Sequence, residues 1–317
     1  MMRRLVRHGP ATLIISLPAD WVKSKGLKEK DEVEVSDRGN ELVIKLKESK
    51  RKDSITADIT HLDRTSIILL LQAIYRAGFS KVLLTFNSPE TVHFRTKKKI
   101  SFSALIHYLL YRFVGFEISK ETDNTIELTQ ISSIDQEEVE PMIKRTFILL
   151  NNMVDSFIAA VKSNSLDELE KIEQQHESLT KLVSYSIRAI TRGEYSIKES
   201  YISLSHVLAN IDKIADILKY VSRDCVQKNI VIDTRLHVLF NLFQDSFQRY
   251  GKLCRKYDEK LIFEISSNRD AYKDKLAKIE PNLSLHDLKL GLSLAQALEL
   301  LFDLLEWRMS LQIKDSD

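Results

Sequence analysis

The sequence predicts a multi-domain protein that combines α+β and all-α parts. Short apolar runs separated by turn residues open the chain, a mixed strand and helix pattern follows, and helical periodicity fills the remainder. At 317 residues the chain is longer than a typical single domain. The predicted domains are a half-barrel of strands at 1–50, a small α+β domain at 54–132, and two three-helix bundles at 135–228 and 232–315.

The first domain is predicted to hold four short strands and one short helix. The apolar run 12–17 stops at a proline, and the helical segment that follows is closed by Gly26. Charged and apolar residues then alternate with period two from 30 to 35, and a turn leads into a strand at 41–46. Because so few elements cannot bury enough apolar surface alone, we expect a second copy to complete a dimeric barrel, with Trp21 packed beneath it.

The beginning of the chain is basic. Four basic side chains precede the first acidic residue, Asp20, and they are Arg3, Arg4, Arg7 and His8. The whole chain carries a net charge of only +2, so any affinity for nucleic acid must come from a local patch of this kind. Arginine at a strand edge reaches phosphate oxygens and can read guanine, which makes these residues the candidates for DNA contact. The alternative is a solvated terminus without a partner.

A family resemblance supports the first of these interpretations. It is carried by Arg3-Leu5, Gly9, Leu13-Ile14-Ile15-Ser16-Leu17-Pro18-Ala19-Asp20-Trp21-Val22, Gly26-Leu27 and Asp31-Glu32-Val33-Glu34-Val35. This pattern resembles the SpoVT/AbrB family of swapped-hairpin DNA-binding domains over residues 1–47. Its leucine-proline-x-x-tryptophan-valine piece is the variant seen at the head of archaeal phosphate-uptake regulators. The resemblance implies a dimeric β-barrel of two interleaved chains whose basic face binds DNA.

The second domain reads as βαβαββ. Its predicted elements are a strand at 55–59, a helix from Asp63 to Ala77, a strand at 81–86, a helix at 101–113, and a hairpin of 116–119 with 125–129. The basic run 93–99 is expected to be a solvated loop, with a secondary DNA or anion contact as the alternative.

From residue 135 onward glycine and proline become rare, and apolar residues recur at steps of three and four. The predicted helices are 136–163, 166–192, 196–227, 234–264, 267–279 and 284–314. Capping boxes mark three of their starts, at Ser165…Glu168, Ser196…Glu199 and Ser284…Asp287. Long helices joined by short turns favour antiparallel bundles.

An internal repeat groups these helices as three plus three, because segment 204–216 lines up with 291–303. Each copy carries two acids four positions apart, Asp212 with Asp216 and Glu299 with Asp303. Such pairs share one helix face and repel each other by a few tenths of a kcal/mol, roughly. Carboxylates gathered in this way can bind Mg²⁺, Mn²⁺, Zn²⁺ or iron, but they are more commonly solvated acids without a ligand.

A second family resemblance favours metal binding over solvated acids. The sequence Asp212-Lys213-Ile214-Ala215-Asp216 is similar to the acidic signature of the PhoU family, over residues 136–315. That family has two three-helix bundles whose acidic motifs bind metal clusters. The second copy, Glu299-Leu300-Leu301-Phe302-Asp303, lacks the basic residue, and Glu306 could add a ligand. Supporting acids would be Glu173 or Glu177, with His176 between them, and Asp270 or Asp274.

Composition and motifs argue against an enzyme, a cysteine metal site and a membrane-spanning protein. Phosphate-cradling glycine loops, zinc-protease motifs and nucleophile elbows do not occur, so no enzyme is expected. Cys225 and Cys254 lack metal-site spacing and are expected to be buried thiols in a reducing compartment. No apolar stretch is long enough to span a bilayer, and no signal-peptide pattern is found. We therefore expect a cytoplasmic protein that is not integral to a membrane.

Together these patterns favour a homodimeric DNA-binding regulator that links phosphate status to transcription of phosphate-uptake genes. The helical part would sense or relay, and the α+β domain would couple it to the DNA-binding part. The alternative is an adaptor that docks on a phosphate transporter or a sensor protein and uses the barrel only for dimerisation. A metal-dependent enzyme is the least favoured of the three.

Overall fold

The computed structural model describes residues 3–10, 12–37, 42–46, 53–132, 136–193 and 201–314. The chain divides into two compact units, Met1–Lys52 and Asp53–Asp317, which are described separately below. No helix in the described ranges combines the length and the apolar character needed to cross a membrane.

The first unit contains the predicted short strands and helix. These are β1 (Val6–Arg7), β2 (Leu13–Ile14), α1 (Ala19–Lys25), β3 (Val33–Asp37) and β4 (Leu42–Leu46). The strands form two antiparallel pairs, β1 with β2 and β3 with β4. Gly26 ends α1 in the left-handed conformation, with φ 64°, as its position predicts. The turn between β3 and β4 lies outside the described residues.

The second unit begins with a mixed sheet. Its elements are β5 (Ser54–Asp58), α2 (Arg64–Arg76), β6 (Lys81–Thr85), β7 (Glu90–His93), β8 (Lys98–Ser101), α3 (Phe102–Leu110), β9 (Phe116–Glu121) and β10 (Thr125–Gln130). The four-stranded sheet has the order β5-β6-β10-β9, with β5 parallel to β6 and both other pairs antiparallel. The predicted α+β class is confirmed, but the hairpin β7–β8 was not predicted. The basic run 93–99 therefore belongs to a hairpin and is not a plain loop.

One apolar core holds the sheet and its helices together. The buried positions of α2 recur at helical spacing, at Ile67, Leu71 and Ile74, while those of β6 alternate, at Val82 and Leu84. They pack in one cluster with the apolar faces of α3 and β10. Asp63 caps α2 by accepting hydrogen bonds from the backbone of its first turn.

The rest of the second unit, as far as it is described, consists mainly of helices. The helices are α4 (Gln136–Ser163), α5 (Leu166–Arg192), α6 (Tyr201–Lys228), α7 (His237–Arg255), α8 (Glu259–Ile279) and α9 (Leu285–Lys314). Ser165 and Ser284 cap α5 and α9 as predicted, by accepting from the amides of Glu168 and Asp287. The predicted cap Ser196…Glu199 lies outside the described residues.

The boundary between α7 and α8 was predicted wrongly. The sequence indicated one helix over 234–264 and a second over 267–279, whereas the chain breaks at 256–258. Lys256 takes an extended conformation, and Asp258 caps α8 by accepting from the amide of Lys260. Residues Thr234–Leu236 form a short 3₁₀ turn ahead of α7.

The six helices share one hydrophobic core. Within each group of three, consecutive helices pack side by side, and α6 also packs along α9 while α4 packs along α7. The core contains buried residues of both groups, from Val139 to Leu305. The two halves therefore do not keep separate cores, although the helix count and order agree with the sequence pattern.

Candidate functional site

The basic edge of the first unit is exposed. Arg3 and Arg4 precede β1, Arg7 lies within it opposite Leu13, and His8 begins the turn to β2. The His8 amide donates to the Thr12 carbonyl at 2.9 Å, and Arg7 reaches the carbonyl of Pro10 only at 3.4 Å. The guanidinium groups therefore face solvent and are free to contact phosphate.

Apolar side chains of the first unit are also exposed. None of the described side chains of this unit is buried, and Trp21 is half-buried. The exposed set includes Leu5, Val6, Leu13, Ile14, Ile15, Val35 and Leu42, of which Leu42 is 70% exposed. A monomeric soluble domain rarely leaves so much of its apolar surface in water. The arrangement thus supports a partner surface beside the basic edge.

A second candidate site is a charged cleft in the second unit. It has a volume of about 460 Å³ and lies between the sheet part, with α2, α3 and the β7–β8 turn, and the helices α5 and α6. Its charged and histidine lining residues are Arg64, His93, Arg95, Arg112, Glu173, His176, Glu177, Asp212, Asp216, Lys219, Arg223 and Asp224. The predicted acidic pair of α6 therefore lies in a cleft, beside many basic groups.

Asp212 is bound by the sheet part of the same unit. One carboxylate oxygen accepts from Arg76 Nη2 at 2.8 Å, and the other accepts from Thr180 Oγ1 at 2.8 Å. Arg76 also donates to Ser184 of α5. Both oxygens of Asp212 are thus engaged by protein donors.

Asp216, one turn later, has two close neighbours, and a third basic group, Lys213 Nζ, lies 4.0 Å from its Oδ2. Lys219 donates to its Oδ1 at 2.5 Å, and His176 Nε2 lies 3.0 Å from the same oxygen. Burial alone would raise the pKa of Asp216, but the hydrogen bonds from His176 and Lys219 outweigh it and hold the pKa well below its usual range. Asp216 is therefore a stable carboxylate within an ion-paired cluster.

The other predicted metal ligands either contact a basic or amide side chain or are exposed. Glu173 pairs with Arg223 and Glu177 with Arg112. On α9, Glu299 pairs with Lys273 at 2.5 Å, Asp303 accepts from Asn210 at 3.1 Å, and Glu306 is exposed. Asp270 pairs with Arg269, and Asp274 is exposed.

This pairing does not fit a metal centre. Within the described ranges, no group of three or more His, Cys, Asp or Glu side chains is placed to hold a metal ion. Protein donors already engage Asp212, Asp216 and Glu299, and the remaining acids, such as Glu306 and Asp274, are exposed and do not gather with them. The metal-binding prediction therefore has no support from these residues.

The end of β7 contributes a buried histidine to the cleft. His93 Nδ1 lies 3.0 Å from Thr96 Oγ1. Burial lowers the pKa of His93 most, and the positive charges of Arg64 and Arg95 lower it further. Phe94, next to it, is 70% exposed. The hairpin thus presents an aromatic and a basic surface outside and a neutral histidine inside.

Sequence reasoning singled out the basic run 93–99, which supplies Arg95, but it missed the other Lys and Arg residues of the cleft. A signal was present on α6, where Lys219 and Arg223 follow Asp216 by three and seven positions and so share its face. Nothing local indicated Arg64 or Arg112, because they reach the cleft from a different part of the fold.

The two cysteines are free thiols, Cys225 buried and Cys254 half-buried. Burial raises the pKa of each to about 11. Both are therefore protonated and unreactive at neutral pH.

Comparison with known proteins finds a family match in the first unit. A family model described as "Antidote-toxin recognition MazE, bacterial antitoxin" matches residues 6–53. No curated protein and no solved structure matches the chain significantly. The matched stretch coincides with the unit that carries the basic edge and the exposed apolar side chains. The N-terminal unit is therefore similar to MazE- and AbrB-type domains, a type that suggests a DNA-binding regulator or an antitoxin.

Proposed function

We propose that this protein is a DNA-binding transcriptional regulator of phosphate uptake that acts as a homodimer through its N-terminal unit. The observation that carries the proposal is the coincidence, within residues 6–53, of a MazE-type match, exposed arginine and exposed apolar side chains. A regulator of this kind would work in the cytoplasm. The proposal assigns no catalytic step to the chain.

Dimerisation follows from the surface of the N-terminal unit. Leu5 and Leu13 are 62% and 59% exposed, and β1 and β2 are each two residues long. Burial of apolar surface is worth about 25 cal/mol per Å², so pairing of two such surfaces would supply the core that one copy lacks. A dimer would also double the number of arginines presented to one duplex.

DNA contact follows from the basic edge. Arg3, Arg4 and Arg7 are exposed, and the unit has no acid before Asp20. Each arginine that neutralises a phosphate releases counterions, so binding should weaken steeply as salt rises. Arginine is favoured here over lysine because its planar guanidinium also matches guanine.

The link to phosphate rests on resemblance. The segment 212–216 is similar to the acidic signature of the PhoU family, and the leucine-proline-x-x-tryptophan-valine piece is similar to that of phosphate-uptake regulators. We propose that the helical part senses or relays phosphate status, either directly or through a transporter or sensor partner. The ion pairs of Asp212 and Asp216 support a relay through the cleft more than a metal site.

The test is a binding titration of the full-length chain with mixed-sequence duplex DNA at several salt concentrations. The variant Arg3→Ala/Arg4→Ala/Arg7→Ala should lower affinity at least tenfold and flatten the salt dependence. A matched control removes three exposed lysines of the same unit, as Lys23→Ala/Lys25→Ala/Lys28→Ala. Equal losses for both triple variants, or binding that ignores salt, would reject the basic edge as the DNA contact.

An antitoxin-like or adaptor role is the second candidate, and the similarity of residues 6–53 to a bacterial antitoxin family favours it. In that case the exposed apolar residues would bind a protein and the arginines would be incidental. Heparin chromatography separates the two, since a regulator is retained by the polyanion through the basic edge while an adaptor's retention is unchanged by the arginine substitutions.

A further inference from the structure

The acidic side chains that line the cleft are all ion-paired. Five carboxylates line it, and each has its own basic partner. The pairs are Glu173 with Arg223, Glu177 with Arg112, Asp212 with Arg76, Asp216 with Lys219, and Asp224 with Lys228. Arg76 and Lys228 are not themselves lining residues, so the acids of the cleft are satisfied partly from outside it.

Two arginines of the lining remain without a counter-charge. Arg64 is half-buried at the start of α2, and Arg95 is exposed in the β7–β8 turn. Within the described residues, neither forms an ion pair or a hydrogen bond. The negative charge of Glu177 raises the pKa of Arg64, but Glu177 already forms an ion pair with Arg112. Although the lining has as many Lys and Arg as acids, Arg64 and Arg95 therefore leave positive charge that no ion pair in the described part of the chain neutralises at their end of the cleft.

The pKa values of Arg64 and His93 are both lowered, in part by this positive charge. Burial lowers the pKa of Arg64 most, the positive charges of Arg112 and Arg95 lower it further, and Tyr108 and Glu177 oppose them. Burial lowers the pKa of His93 most, Arg64, Arg95 and Arg223 lower it further, and Asp63 opposes them. Several cations of the lining thus influence one another, so like charges repel there and the half-buried Arg64 guanidinium lacks an ion-pair partner among the residues that the structure describes. An anion bound there would relieve both costs.

The size and walls of the cleft indicate what kind of anion fits. Its volume of about 460 Å³ lies within the range of roughly 300–1,000 Å³ that is typical of small-molecule sites. Ile68, Leu69 and Tyr108 add apolar and aromatic surface beside the arginines. A phosphate group can bind two guanidiniums in bidentate fashion, while the rest of a larger molecule contacts this apolar surface.

We propose that the cleft binds a small phosphate-bearing anion, with Arg64 and Arg95 as its principal contacts. This inference rests on the proposed sensing role of the second unit and names the class of ligand that is sensed. In this site arginines contact the ligand, and the acidic side chains do not. The ligand is either inorganic phosphate or a phosphorylated metabolite, which share the group that the arginines recognise.

Isothermal titration calorimetry of the full-length protein tests the proposal, with inorganic phosphate, AMP and adenosine as probes. Saturable binding of phosphate or AMP, with none for adenosine, is expected. Tighter binding of AMP than of phosphate identifies a phosphorylated metabolite, and the reverse order identifies the free ion. Arg64→Gln and Arg95→Gln should each weaken binding at least tenfold, while Arg145→Gln, an exposed arginine of α4, should leave it unchanged.

Absence of saturable binding by both phosphate compounds, or an equal loss in Arg145→Gln, would overturn the proposal. Circular dichroism checks that each variant is folded, and Arg95→Gln serves alone if the half-buried Arg64 proves necessary for folding. The Arg3→Ala/Arg4→Ala/Arg7→Ala variant should keep full anion binding, and Arg64→Gln should keep DNA binding without ligand. Failure of the anion site is thereby distinguished from failure of the proposed DNA-binding function.

Discussion

Replacing Asp216 with asparagine should destabilise the second unit by about 2–4 kcal/mol. The substitution keeps the size of the side chain but removes the charge to which Lys219 donates at 2.5 Å. Only 9% of the Lys219 side chain is exposed, so its ammonium would remain buried without a counter-charge. Breaking a fully buried pair costs about 3–5 kcal/mol. Because Asp216 itself is 26% exposed, water reduces that figure.

Urea unfolding followed by circular dichroism measures the effect, with Asp224→Asn as the matched control. Asp224 lies on the same helix and pairs with Lys228, but these side chains are 41% and 45% exposed. An exposed pair is worth at most about 1 kcal/mol, so this variant should lose little. The double variant Asp216→Asn/Lys219→Met should recover about 1–2 kcal/mol by removing the orphaned charge. The reasoning fails if Asp216→Asn costs no more than Asp224→Asn.

The same pair makes a prediction about pH. The folded pKa of Asp216 is held below its unfolded value of 3.8. A group with a lowered folded pKa contributes stability that is fully present above the unfolded pKa and is lost as pH falls toward the folded one. The stability difference between wild type and Asp216→Asn should therefore be constant from neutral pH to about pH 4 and should shrink below it. A difference that already declines between pH 7 and 5 would contradict this assignment.

Three further predictions concern individual residues. Cys225 and Cys254 should react with a thiol reagent far more slowly in the native protein than in urea, because burial raises both pKa values to about 11. Asp258→Ala should lower the free energy of unfolding by about 1 kcal/mol through loss of the α8 cap, and an unchanged urea midpoint would count against that cap. Gly115→Ala should cost about 1–2 kcal/mol, because φ is +79° and the added Cβ would lie 2.6 Å from Ser132 Oγ. Urea titration beside wild type checks it, and a stable Gly115→Ala would refute the strain.

The sequence predicted those elements whose ends carry local chemical signals. Ser165 and Ser284 identified the starts of α5 and α9 because a capping hydroxyl and its acidic partner lie three residues apart. The break at 256–258 was missed because apolar residues continue at helical spacing across it, through Tyr257 and Leu261. Only the cap Asp258 marked the true start of α8.

The charged cleft could not be predicted in the same way, because its contacts join distant parts of the chain. Spacing correctly placed Asp212 and Asp216 on one helix face, but the partner of Asp212 is Arg76, 136 positions away. Sequence periodicity reports which face a residue occupies and not what lies opposite that face. The sequence pattern of two acids at i and i+4 is therefore the same whether a metal ion, solvent or an arginine lies opposite them.

The contact between the sheet part and the helical part of the second unit is polar, and this bears on how a signal could pass between them. The two apolar cores are separate. The connection is made instead by arginines, for example Arg76 to Asp212, and Arg188 and Arg192 to the carbonyls of Tyr75 and Gly78. Polar contacts at the cleft, such as Arg76 to Asp212, would be the ones to change partners if the two parts moved relative to each other. An anion that binds Arg64 at this boundary would favour one placement of the two parts by its difference in affinity between placements, which is what a relay requires.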